Sequence, residues 1–202
     1  MGKRMAIFAS GGGSNARRLM LQGCRSNHYE VVLVLTDRIQ AGVQTHAKEF
    51  AVPVEVVRWN DLSPATLIAT LAQYNVDFIV LAGFLRLIPK EIIEHFHARI
   101  VNLHPSLLPK FGGKGMYGRH VHRAVLNAKE SQTGITIHYV SEEYDKGAVI
   151  AQFVTEILPE DTVETIEDKV IHRTISSGGS FGGNPFREFI GLSNTKGISK
   201  IT

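Results

Sequence analysis

The chain has a single cysteine, Cys24, among its 202 residues. One thiol cannot build an internal disulfide framework, which points to a reducing compartment and a cytoplasmic location. No apolar run approaches the roughly 20 residues that cross a bilayer. The first such run follows Lys3 and Arg4, stops at Ser10 and enters glycines, so it reads as a strand and not as a signal peptide. Blocks of like charge are also missing: 22 Lys and Arg are scattered through a chain of net charge +3. A clustered basic face for nucleic acid is therefore not expected, and an anionic small molecule accounts equally well for the excess. His120 and His122 lack a thiolate pair and fit no zinc spacing with His104, so no metal is expected. Ser106 lacks the G-x-S-x-G elbow that would make it an acyl-enzyme nucleophile.

What is present is a regular alternation. With 44% hydrophobic residues the chain can bury a core of one domain. Strands are expected over Arg4 to Ser10, Glu30 to Thr36, Val52 to Val57, Asp77 to Ala82 and Ala98 to Leu103. Helices are expected between them, over Asn15 to Gln22, Gln40 to Phe50, Ser63 (as cap) to Tyr74, and Pro89 (in the first turn) to His95. Strand and helix in succession predict an α/β fold with a doubly wound, mostly parallel sheet. After a glycine-rich loop from Phe111 to Gly118 and a helix from Arg119 to Ala128, Gly134 to Val140 and Ala148 to Val154 read as an antiparallel C-terminal strand pair. Thr162 is placed to cap a helix reaching His172. Residues 1–173 thus form the expected domain. Residues 174–202, with S-S-G-G-S-F-G-G-N and no surviving period, are expected to be a poorly ordered tail.

The most informative stretch is V-N-L-H-P-S-L-L-P, Val101 to Pro109. Asn102 and His104 are two residues apart on one strand and so share a side of the pleat. Pro105 and Pro109 then prevent regular continuation. An amide donor and an imidazole held at a sheet edge suit a site where charge must be stabilised. Asp145, in the loop between the last two strands, is the best carboxylate partner for the imidazole. His138 shares a strand face with Thr136, and both are candidates for the same cleft. The loop Ser10-Gly11-Gly12-Gly13-Ser14-Asn15 joins a strand to a helix, where backbone N–H groups and the helix dipole favour a phosphate. It matches neither the P-loop nor G-x-G-x-x-G, and a plain tight turn capped by Ser14 or Asn15 is the alternative. A nicotinamide enzyme is disfavoured by that imperfect pattern and by the lack of an obvious ribose-binding acid after the second strand, Asp37 being the nearest.

Together these residues resemble the glycinamide ribonucleotide formyltransferase family over about residues 4 to 172. The likeness rests on S-G-x-G-S-N, L-A-G-F-L-R at Leu81 to Arg86, N-L-H-P-S-L-L-P, G-I-T-I-H and the Y-D-x-G loop. It implies a Rossmann-like formyltransferase fold and transfer of a formyl group from 10-formyltetrahydrofolate to the amine of glycinamide ribonucleotide in purine synthesis. It also implies a catalytic set of Asn102, His104 and Asp145, with Asn102 and His104 donating to the developing oxyanion. Gly12, Gly13, Ser14 and Asn15 would bind substrate phosphate. Leu85, Arg86, Leu87, Ile88, Val140 and Tyr144 would line the folate cleft. The implied partners are these small molecules, without nucleic acid or membrane, and the chain would act as a monomer or homodimer. After His172 the sequence departs from the family pattern. Two alternatives follow: a formyl-folate transferase acting on another amine, or a catalytically impaired domain that binds nucleotide or folate.

Overall fold

Runs of β-branched and aliphatic residues favour pairing, and the computed structural model, which describes residues 2–25 and 27–176, joins them into one seven-stranded sheet. The strands are β1 (Lys3–Phe8), β2 (Tyr29–Thr36), β3 (Val54–Val56), β4 (Phe78–Leu81), β5 (Ile100–His104), β6 (Gln132–Tyr139) and β7 (Val149–Glu156). Their order is β3-β2-β1-β4-β5-β6-β7. The first five in that order pair in parallel. β6 is antiparallel to both β5 and β7, so the expected antiparallel pair belongs to the same sheet.

Among the described residues six helices flank it: α1 (Ser14–Gly23), α2 (Val43–Glu49), α3 (Pro64–Gln73), α4 (Lys90–His95), α5 (Arg119–Asn127) and α6 (Val163–Ser176). Alternation along β1 divides the core. Met5 and Ile7 pack with Ala16 and Leu19 of α1, Val43 of α2 and Ile166 of α6. Ala6 and Phe8 pack on the other face with Leu67 and Leu71 of α3 and Ile92 of α4. Burial on both faces explains why β2 reads as a continuous apolar run.

Several boundaries move for local reasons. Ser63 caps α3 as expected, its Oγ accepting from the Thr66 N–H at 3.1 Å. Thr162 caps α6 in the same way through the Thr165 N–H at 3.3 Å. Pro89 stands as the cap of α4 and not within its first turn. Residues 40–42 lie ahead of α2 and outside the helix, with Gly42 close to the backbone of Gly12. α6 continues to Ser176, past the 173/174 division read from the sequence. The rest of the expected tail, residues 177–202, lies outside the described residues. Among the described residues, no helix is long and apolar enough to cross a membrane.

Chain order reverses direction between β1 and β4, which is the usual ligand edge of such sheets. Trp59, in a 3-10 turn (Trp59–Asp61), sets its ring edge-on to Phe84 (centroids 4.8 Å apart) and Phe8 (6.4 Å), just behind that edge.

Candidate active site

A cleft of about 970 Å³ opens at the C-terminal ends of β1, β4 and β5. Strand register builds its reactive wall. Val101 and Leu103 of β5 join Ile135 and Ile137 of β6 in the core, leaving Asn102 and His104 on the opposite side of the pleat. Antiparallel pairing sets Asn102 opposite His138 and His104 opposite Thr136. Directly opposed residues project to the same side, so the four share one face.

Asp145 completes the cluster from the loop after β6. Its Oδ1 accepts from Asn102 Nδ2 at 3.1 Å and lies 3.4 Å from His104 Nδ1 and 3.5 Å from His138 Nε2. Its Oδ2 accepts from the Gly113 N–H at 2.8 Å. Burial alone would raise this carboxyl, but its contacts with His104 and the Gly113 N–H hold it well below the ordinary carboxylate range. It is an anion at any physiological pH.

The partners fix the tautomers. His138 Nδ1 donates to the Tyr139 carbonyl at 2.9 Å, which leaves Nε2 to accept one Asn102 amide hydrogen at 3.1 Å. The other Asn102 hydrogen goes to Asp145. His104 is only 2% exposed, and its Nε2 donates to the Phe111 carbonyl at 2.8 Å while Nδ1 faces Asp145. Both donors that the sequence assigns to an oxyanion are thus held by the nearest strong acceptors, Asp145 and a loop carbonyl.

Thr136 does not reach the cleft. Its hydroxyl donates to the Ser106 carbonyl at 2.6 Å and accepts from Leu108 N–H and Gln152 Nε2, both at 3.0 Å. It is fully buried and fastens the Pro105–Pro109 loop from behind. Of the two residues expected to share the cleft, His138 lines it and Thr136 does not.

The glycine loop forms the opposite end of the same cleft. Gly13, not Ser14 or Asn15, is the cap residue of α1. It adopts φ 78°, and no side chain caps the helix. A Cβ at Gly13 would lie 2.6 Å from Val43 Cβ, so both conformation and space demand glycine. The uncapped N–H groups of the first turn, with no acidic residue among them, suit an anion. Gly12, Gly13, Ser14 and Asn15 all line the cleft. Arg17 is turned away, bound to both carboxylate oxygens of Glu49.

Leu85 to Ile88, Val140 and Tyr144 line a third side. This wall is tied to the glycine loop: Ser10 Oγ accepts from the Leu85 N–H at 3.0 Å, and Tyr144 reaches the Leu85 carbonyl at 3.4 Å. Arg86 Nε donates to Asp37 Oδ2 at 2.7 Å, and the Asp37 side chain is wholly enclosed. Burial would raise the Asp37 carboxyl, but Ser10 and Arg86 bring it below its ordinary value. Asp37 stands where a dinucleotide enzyme would meet a ribose, yet it is closed off by Arg86, which removes the nicotinamide reading.

Among the lining residues that sequence reasoning did not place in the cleft are His122 of α5 and Glu167 of α6. His122 drew notice only as a metal ligand, although its spacing from Val121 and Val125 places it on the buried side of a short amphipathic helix. Among the described residues, no group of three or more His, Cys, Asp or Glu is placed to hold a metal.

The family model described as "Formyl transferase" matches residues 3–176. The chain is 43% identical to a chloroplastic phosphoribosylglycinamide formyltransferase of Arabidopsis thaliana, with 84% of this chain and 61% of that protein covered. It is 36% identical to the phosphoribosylglycinamide formyltransferase of Bacillus subtilis (strain 168), with 83% and 87% covered. The chain therefore spans about three fifths of the length of the plant relative it matches. Among solved structures, the phosphoribosylglycinamide formyltransferase of Brucella melitensis superposes with a TM-score of 0.79 at 30% identity, covering 98% of this chain and 100% of that one.

Proposed function

Since the chain belongs to the formyl transferase family, we propose that it transfers a formyl group from 10-formyltetrahydrofolate to the amine of glycinamide ribonucleotide, a step of purine synthesis. One observation carries this reading. A single cleft joins an uncapped helix N-terminus, suited to a phosphate, to a buried Asn–His–Asp cluster suited to a developing oxyanion. The resemblance noted in the sequence and the names of the relatives support the same substrates.

In this mechanism the phosphate sits on the N–H groups of Gly13 to Asn15, and the folate lies along Leu85 to Ile88, Val140 and Tyr144. The amine lone pair adds to the formyl carbon, and the carbonyl electron pair moves onto oxygen. Asn102 Nδ2 and His104 turn their N–H groups from Asp145 and the Phe111 carbonyl to that oxygen. A well-placed donor of this kind is worth about 3–4 kcal/mol. Asp145 remains anionic and balances the positive charge on His104. Collapse reforms the carbonyl and breaks the bond to the folate nitrogen. One proton leaves the amine and one arrives at that nitrogen. The chemistry needs no covalent enzyme intermediate and no metal. Both partners are small molecules, with no nucleic acid or membrane, and the chain acts as a cytoplasmic monomer or homodimer.

The test is direct. The full chain is incubated with 10-formyltetrahydrofolate and glycinamide ribonucleotide, and formylated product and tetrahydrofolate are measured. Equal amounts of the two products are expected. Transfer to an amino sugar or tRNA but not to the ribonucleotide would overturn the choice of acceptor. Binding of both ligands without turnover would overturn the enzyme.

A further inference from the structure

We propose that Tyr117 is the ring on which the benzoyl group of the formyl donor packs, and so a specificity-determining residue for the folate. This inference rests on the function proposed above. Glycinamide ribonucleotide has no aromatic ring, whereas 10-formyltetrahydrofolate has a pterin and a benzoyl group. An exposed aromatic side chain in the shared cleft is therefore matched by the donor alone. Tyr117 lines that cleft and is 43% exposed. Its ring is held edge-on to His120, with centroids 5.3 Å apart. Among the described residues its hydroxyl has no hydrogen-bond partner, so the ring and not the oxygen is what the side chain offers.

The loop ahead of α5 fixes where the ring stands. Its Gly113 N–H donates to Asp145 Oδ2 at 2.8 Å, and Met116 N–H closes a turn on the Gly113 carbonyl at 3.0 Å. The Tyr117 carbonyl then accepts from His120 N–H at 3.2 Å, at the start of α5. Tyr117 is thus held next to a turn anchored on the reactive carboxylate. The bond that breaks in the donor is the one to the nitrogen carrying the benzoyl ring. With the formyl carbon at Asn102, His104 and Asp145, that ring is the aromatic surface nearest the Gly113 turn. The pterin is joined one carbon further away, and its ring nitrogens and carbonyl need polar partners that Met116 and a phenol face do not supply. Gly115 and Gly118, at φ 90° and 50°, flank the Met116–Tyr117 pair, and a Cβ at either would meet nothing within 4 Å. Open space on both sides leaves room for an offset or edge-on ring contact.

The experiment uses tetrahydrofolate and 6-methyltetrahydropterin, which lacks the benzoyl group, as calorimetric probes, alongside formyl transfer to glycinamide ribonucleotide. The full chain is compared with Tyr117→Phe, Tyr117→Leu and Tyr117→Ala. Tyr117→Ala is expected to weaken tetrahydrofolate about tenfold and the pterin by less than about twofold. Its KM for formyl-folate should rise by a similar factor, with KM for the ribonucleotide within about twofold. Tyr117→Phe, which keeps the ring, should bind tetrahydrofolate as the parent does, and Tyr117→Leu should fall between the two. Equal losses for the two probes would overturn the inference. So would tetrahydrofolate binding by Tyr117→Ala within about twofold of the parent, or a KM effect confined to the ribonucleotide. The expected loss of tetrahydrofolate affinity, found with a parent chain that transfers no formyl group, would instead overturn the proposed reaction and leave the ring contact standing.

Discussion

Replacing Asp145 by asparagine separates charge from shape at the centre of the site. Three donors converge on this carboxylate: Asn102 Nδ2 at 3.1 Å, Gly113 N at 2.8 Å and His104 Nδ1 at 3.4 Å. An asparagine offers one carbonyl oxygen and turns an NH₂ toward the others. At least one buried donor then loses its partner, at a cost of about 1–3 kcal/mol in stability. Removal of a buried anion from the protein offsets part of this, so a fall of roughly 1–2 kcal/mol in urea denaturation is expected. Catalysis should suffer more. Without the anion, His104 loses both its orientation and the partner of its charge, so about one oxyanion donor's worth of stabilisation disappears, or 10²–10³-fold in kcat, roughly. Rates of tetrahydrofolate release, measured with circular dichroism as a check on folding, read both effects. A folded variant with kcat within about threefold of the parent would refute the role given to Asp145. The pH dependence has a definite sign. The folded carboxyl is depressed, so its contribution to stability is complete above the unfolded value of about 3.9 and fades only as the pH falls below it. The stability gap between parent and variant should therefore be flat from about pH 5 to 8 and change only in acid.

Gly13→Ala should destabilise by about 1–3 kcal/mol in urea, because a Cβ at φ 78° meets Val43, and should weaken ribose 5-phosphate binding in calorimetry. Thr136→Val leaves the buried Leu108 N–H without an acceptor, so a loss of about 1–3 kcal/mol is expected in the same assay with kcat changed far less than in Asp145→Asn. Asp37→Asn removes the anion that holds Arg86 and should raise KM for formyl-folate by about fivefold, equivalent to a partly exposed ion pair of about 1 kcal/mol, with kcat unchanged in steady-state assays.

The parallel half of the sheet was legible because β4 is apolar throughout and β2 is apolar from Val31 to Leu35, a pattern that doubly covered strands require. Asn102 and His104 were legible as neighbours because spacing of two on a strand is unambiguous. Which loop groups would meet them was not. The Phe111 carbonyl and Gly113 N–H reach the cluster through a loop whose path has no sequence period, with Phe111 at φ 55° and Gly113 at φ 98°. Thr136 was read as a cleft candidate from face alone. Face was right, but the Pro105–Pro109 loop folds back over it and claims its hydroxyl. Glu167 was not singled out, because helical spacing alone does not mark which acidic residue of α6 borders the cleft.

The ring stack behind the folate wall has a practical corollary. Trp59 is the sole tryptophan of the chain, and it touches Phe84, itself a lining residue of the cleft. All indole emission therefore originates at one spot, against a ring that borders the cleft where the folate is proposed to lie. The molecule carries its own optical gauge of occupancy, readable without a label, a radioisotope or turnover.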